Sequence, residues 1–250
     1  MKHSPASLLR AVAILLPALL GSRLAGADEW RFSVAPYLWV ASLKVDSSLP
    51  DLPPATPPEV ERFETKLTGG FMIAGQAQYG SFGLAVDYDW LRLNTASTHP
   101  GPLFSAVELN SNFYHTTVAL TWVVPTDSPW HLQLLAGARF FSVSGEQVFT
   151  AGLLPGFTRS NDHSWTDAVI GANVHYVFDE RWFATGRLLF GGLTGGSNST
   201  VDALAGVGYQ FNKSWSGLLG YRYLKEKFDQ GAFTVDLTGQ GFLLGVAYQF

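Results

Sequence analysis

The sequence predicts an all-β protein: a transmembrane, antiparallel up-and-down β-barrel of ten strands, with eight strands as the fallback. Three observations carry this reading. Apolar residues alternate with period two over long stretches after Asp28. Most of these runs exceed the about five or six residues of an ordinary strand. Aromatic residues recur eight positions apart on the apolar face. Composition agrees. Of 250 residues, 47% are hydrophobic, 14% aromatic and 14% charged, and none is Cys. A chain so rich in aromatics and poor in charge is not disordered, and it is not a disulfide scaffold. No basic patch points to nucleic acid. After the first segment no apolar run reaches the about 20 residues of a membrane helix.

That first segment, residues 1–27, reads as a secretory signal peptide. Lys2, His3 and Arg10 make a positive start, Ala11 to Leu20 an apolar core too short to span a bilayer, and Ala25-Gly26-Ala27 a small-residue cleavage site. Its removal takes three of the 16 basic residues and none of the 20 acidic ones. The mature chain, residues 28–250, is expected to begin at Asp28 and to form the barrel.

The strands are expected at 30–46, 64–80, 82–95, 107–124, 131–148, 165–179, 182–194, 199–212, 214–228 and 232–250. Aromatic pairs eight apart mark the second (Phe71, Tyr79), third (Phe82, Trp90), fourth (Tyr114, Trp122), seventh (Trp182, Phe190), ninth (Trp215, Tyr223) and tenth (Phe242, Phe250). The sixth shows unbroken alternation in Ala168, Ile170, Ala172, Val174, Tyr176 and Phe178, and the eighth in Val201, Ala203, Ala205, Val207, Tyr209 and Phe211. Successive side chains on a strand point to opposite faces, so one face is apolar throughout. Connections alternate between tight ones (Gly80-Ser81, Pro125 to Trp130, Asp179 to Arg181, Asn212-Lys213) and a longer set (47–63, 96–106, 149–164, 195–198, 229–231). Short turns at one end, longer loops at the other and an even strand number are the layout of a membrane barrel. Eight residues, tilted about 40°, rise about 20 Å, close to the apolar band of about 25 Å between aromatic girdles.

Charge falls on the other face: Asp87, Asp89, Arg139, Asp167, Arg187, Asp202, Arg222 and Glu226, with His115 and His175. That face is therefore expected inside. These charges read as a salt-bridged plug in a narrow lumen, with a polar pathway for ions or small solutes as the alternative. Nothing assigns a catalytic, cofactor-binding or metal-ligating residue. Gly191 to Gly196 (GGLTGG) ends a strand with no helix after it and reads as a turn. Asp162-His163-Ser164 and His99 are the only candidates for an enzyme at the outer rim.

The stretches WRFSVAPYLWVASLK (Trp30 to Lys44), VGYQFNKSWSGLLGYRYLKEKF (Val207 to Phe228) and the terminal GFLLGVAYQF (Gly241 to Phe250) resemble small proteobacterial outer-membrane β-barrel proteins, a largely uncharacterised group. The resemblance implies a bacterial outer-membrane location among membrane lipids and lipopolysaccharide, and insertion by the barrel-assembly machinery. Phe250, with Tyr248 two residues before it, matches the C-terminal assembly signal of such proteins. The expected protein is a monomer without cofactor, non-catalytic, with a structural or loop-mediated role in the envelope. A narrow channel and a rim enzyme are the alternatives.

Overall fold

The computed structural model describes residues 29–48, 64–97, 103–126, 129–192, 197, 199–230 and 233–250. The signal-peptide reading, His99 and the Pro-rich part of the first long loop lie outside the described residues. Ten strands follow one another: β1 (Trp30–Ser48), β2 (Glu64–Tyr79), β3 (Phe82–Ser97), β4 (Phe104–Val123), β5 (Trp130–Ala151), β6 (Phe157–Val177), β7 (Trp182–Gly191), β8 (Ser199–Gln210), β9 (Trp215–Gln230) and β10 (Phe233–Gln249). Each pairs antiparallel with the next, and β10 returns to β1 to close the barrel. Ten strands, not eight, are present.

Closure leaves no free edge where water is missing, the condition for a sheet to stand in lipid. The outward row suits that solvent. Val40, Phe82, Leu120, Phe242, Leu244 and Phe250 are among many large apolar side chains that stay exposed. In water such a continuous surface would be an aggregation site. Aromatic rings gather at the turn end, where Trp30 packs on Tyr79, Trp130 on Tyr176, Trp182 on Tyr209 and Trp215 on Tyr248.

The turns are held by local chemistry. Gly80 has φ 55°, a left-handed conformation that only Gly adopts cheaply, so the β2–β3 link needs two residues only. The Asp179 carboxylate accepts the N–H groups of Arg181 and Trp182, both at 2.8 Å, and Asn212 does the same for Ser214 and Trp215. The Arg181 and Trp182 N–H groups hold the Asp179 carboxyl below the ordinary Asp range. Its grip on the turn is present above that range and is lost as pH falls through the lowered value.

The loop end departs from expectation. The 149–164 segment is not a loop. β5 runs to Ala151 and β6 starts at Phe157, so only 152–156 connect them, and Asp162, His163 and Ser164 pair with Ser144, Val143 and Ser142. β4 likewise begins at Phe104 and not at 107. With 20, 22 and 21 residues, β4–β6 form a tall wall, whereas β7 and β8 have 10 and 12. The physical reason is visible in Thr158, Ser160, Asp162, Ser164 and Thr166. These outward residues clear the apolar belt, face water, and carry no hydrophobic alternation. Phe149 and Phe157 stack near the tip, and Phe104 packs against both. Protease added to intact cells is expected to cut at 152–156 and to spare the connection 124–129. Cutting confined to cells with a permeabilised envelope would reverse the orientation.

Candidate functional site

The lumen is the place where unusual side chains converge, and strand parity puts them there. Odd positions of β1, β3, β4, β5 and β7 and even positions of β2, β8 and β9 point inward, so Tyr37, Asp87, Asp89, His115, Arg139, Arg187, Asp202 and Arg222 meet across the barrel. Arg139 and Asp202 are 0% exposed and Arg222 1%.

Arg222 is the hub. Its Nε donates to Asp202 Oδ1 at 3.1 Å and its Nη2 to Asp202 Oδ2 at 2.9 Å, a two-pronged grip. Its Nη1 donates to Asp89 Oδ2 at 3.0 Å and to the Tyr37 hydroxyl at 2.9 Å. Its guanidinium lies 5.1 Å from the Trp39 ring centre. Arg139 reaches Asp202 Oδ2 from the opposite side at 2.7 Å and Thr117 at 3.0 Å. Arg187 donates to Asp87 at 2.8 Å. The Tyr37 hydroxyl lies 2.8 Å from Asp87 Oδ1 and 2.5 Å from Asp89 Oδ1. With one proton it donates to one of them at a time. His115 Nδ1 sits 2.8 Å from Asp89 Oδ2. Three carboxylates face three guanidiniums in this layer, so its formal charge cancels without His115.

Asp167 and Glu226 are not part of that balance, contrary to the expectation of one network of eight charges. Asp167 accepts the Ser197 N–H at 2.6 Å and lies 3.5 Å from the Thr200 hydroxyl oxygen. Glu226 accepts the Trp165 indole N–H at 3.0 Å and is also bonded to the Thr200 hydroxyl. Among the described contacts neither is bonded to Arg. They form a second layer, nearer the loop end, in which neutral donors replace cations.

The inside is also not polar throughout. Trp39, Met72, Phe141, Trp165, Leu224 and Phe228 form a buried apolar cluster on the loop side of the Arg222 layer, joined by Val235, Leu237 and Leu243. The Trp165 ring lies between Phe141, 5.2 Å away, and Phe228, 4.4 Å away. Replacing Trp165 with Ala opens a void and strands Glu226. The expected loss is about 3–5 kcal/mol in chemical unfolding, with Trp165→Phe recovering the packing but not the indole donor. A loss below about 1 kcal/mol would mean that the cluster does not seal the lumen.

On the turn side of the charge layer the filling is lighter. Ser33, Ala35, Ala74 and Ala85 line a cavity of about 100 Å³ whose far wall holds Asp87 and Arg187. Below it runs an amide chain: Asn173 donates to Gln133 at 2.9 Å, Gln133 to Gln78 at 3.4 Å, and Gln78 to the Gly80 carbonyl at 3.0 Å. His175 and His131 stand at this mouth with ring centres 6.2 Å apart.

Sequence reasoning missed Tyr37, Thr117, Thr200 and the apolar cluster. Parity alone would have placed Tyr37 and Trp39 beside the inward charges. Of the rim candidate, Asp162 and His163 are adjacent on one strand and so project from opposite faces, and His99 lies outside the described residues. Among the described residues no three potential ligands cluster in a way that could hold a metal ion.

No protein-family model matches the chain, and no curated protein matches it in sequence. Its fold matches solved bacterial barrels. The outer membrane protease OmpT from Escherichia coli aligns over 88% of this chain and 97% of its own, with TM-score 0.54 and 9% identity. The outer membrane protein OprG from Pseudomonas aeruginosa aligns over 89% and 95%, with TM-score 0.40 and 13% identity. Ail, the attachment invasion locus protein of Yersinia pestis, aligns over 89% and 99%, with TM-score 0.36 and 12% identity. At these identities what is shared is the fold: a small outer-membrane β-barrel.

Proposed function

We propose that the protein is exported by its N-terminal signal, sits in the bacterial outer membrane as a closed monomeric barrel, and acts without catalysis through its outer surface and the projecting β4–β6 wall. The observation that carries this reading is the Arg222 layer. Seven strands contribute to it, its charges cancel, and the apolar cluster lies across the same path. A solute passing through would have to part paired charges in a confined, dry place, and breaking one such buried pair costs about 3–5 kcal/mol. The opposite orientations of Asp162 and His163 support the non-catalytic part. On this reading the partners are outer-membrane lipids, lipopolysaccharide among them, and the barrel-assembly machinery.

Narrow conduction is the second reading. The small-residue cavity ending on Arg187 favours it, because the Arg187 side chain is 26% exposed while Arg222 is sealed. Single-channel recording of the purified protein in planar bilayers separates the two. The closed reading expects no resolved openings at neutral pH. Steady unitary currents from the unmodified protein would replace it with the conducting one.

A further inference from the structure

Charge stands on two facets of the outer wall just beyond the apolar belt on the loop side. The outward positions of β4–β6 carry Glu108, Glu146 and Asp162 among Ser, Thr and Asn. The facet made by β9, β10 and β1 carries Lys44, Lys225 and Lys227, with Asp46, Asp236 and Asp229 on its outer rows. Four lysine side chains are described, Lys44, Lys213, Lys225 and Lys227, and all but Lys213, which sits in a turn-end connection, belong to this facet.

The register lines them up. Lys44 pairs with Thr238 and Thr238 with Lys225, so two lysines flank a hydroxyl in one row across three strands. This row contains no acid. In the next row outward Lys227 pairs with Asp236, 3.4 Å away in an ion pair, and Asp236 with Asp46; Asp229 lies beyond. In the row toward the belt stand Ser42, Gln240 and Tyr223. Beneath that the wall turns apolar: Val40, Phe242 and Tyr221, then Leu38, Leu244 and Leu219. Val40 is 76% exposed, Phe242 65% and Leu244 60%. Two lysines two strands apart stand about 10 Å from each other at the backbone. Their flexible stems can converge on one tetrahedral anion between them.

We infer that Lys44 and Lys225, with Thr238 between them, bind the phosphate of a membrane lipid headgroup whose acyl chains lie down the apolar strip Val40–Phe242–Leu244. An amphiphile is favoured over free phosphate because cation row, polar row and apolar strip follow one another in the order of headgroup, linkage and chain. Lysine at the headgroup level gains from anionic lipid and lets its stem cover apolar surface. This inference rests on the outer-membrane placement proposed above.

The test uses the purified folded protein in detergent micelles, with a bisphosphorylated glycolipid (lipid A), its dephosphorylated form and inorganic phosphate as probes. Bound lipid is counted by native mass spectrometry. The wild type should hold the bisphosphorylated lipid at least about tenfold tighter than the dephosphorylated one, and Lys44→Gln/Lys225→Gln should remove most of that preference. Lys213→Gln, which removes one positive charge at the other end, should leave it intact. Heat-modifiable mobility of each variant on gels confirms folding. Unchanged preference in the double variant would overturn the site. An equal loss with Lys213→Gln would reduce it to net charge. Full displacement by millimolar inorganic phosphate would replace the lipid with a free anion. A protein that fractionates outside the outer membrane would overturn the placement along with the site, whereas a failed lipid preference in a correctly inserted barrel overturns the site alone.

Discussion

Arg222→Ala is expected to be the most damaging single substitution in the lumen, lowering unfolding free energy by about 3–5 kcal/mol. The guanidinium it removes is 1% exposed and touches Asp202, Asp89 and Tyr37, with Asp87 3.8 Å away. Taking it out leaves three buried carboxylates facing Arg139 and Arg187 only. Arg139 already bonds Asp202 and Thr117, and Arg187 reaches Asp87. Asp89 is left with His115 and Tyr37. A buried charge without a counter-charge is what makes such a deletion expensive, far beyond the about 0–1 kcal/mol of an exposed pair. Arg222→Lys should not restore the loss in full, because an ammonium cannot grip Asp202 with two parallel bonds while reaching Asp89. Arg187→Ala should cost less, since its side chain is partly solvated. The measurement is urea unfolding of the barrel in phospholipid vesicles, followed by tryptophan fluorescence. If Arg222→Ala stays within 1 kcal/mol of the wild type, the lumen is wet and the closed reading fails.

The barrel itself was legible because lipid reverses the usual burial rule on one face only. A strand with a uniformly apolar row and a mixed row keeps period two regardless of which row is inside. The position of the charges, from Asp87 to Arg222, decided it. The tall wall was not legible, because beyond Phe140 and Ala168 the outward faces of β5 and β6 meet water. There Ser142, Ser144, Asp162 and Ser164 give no hydrophobic alternation to read. The apolar cluster escaped for the converse reason. Leu204 stands on the mixed row, where it looks like noise until it is seen to pack against the cluster of Trp39, Phe141 and Trp165. That Asp202 serves both Arg222 and Arg139 could not be read at all, since it depends on which of ten strands stand opposite one another.

Disrupting the β1–β10 seam is expected to abolish assembly outright rather than weaken it. The two strands pair from Ser33 with Gln249 to Ser48 with Thr234. If the seam stays open, rows of N–H and C=O groups face hydrocarbon at several kcal/mol each. No partial closure offsets that cost. The chain end anchors the seam: the Phe250 N–H donates to the Phe32 carbonyl at 2.9 Å, and the Tyr248 ring packs 4.7 Å from both Trp215 and Phe250. Tyr248→Ser/Phe250→Ser should therefore lose the folded, heat-modifiable species on gels and accumulate unfolded chain. Gly241→Val should do the same by another route. Gly241 faces the lumen and pairs with Ala41, and a Cβ there would overlap the Val40 carbonyl oxygen across the seam. Phe242→Ser is the control, one residue away, on the same seam but facing lipid. It should fold, at a modest cost in stability. Normal folding of the double serine variant would remove the terminal aromatics from the assembly mechanism. Normal folding of Gly241→Val would mean that β1 and β10 do not approach as closely as the register requires, and the closed ten-strand barrel would fall with it.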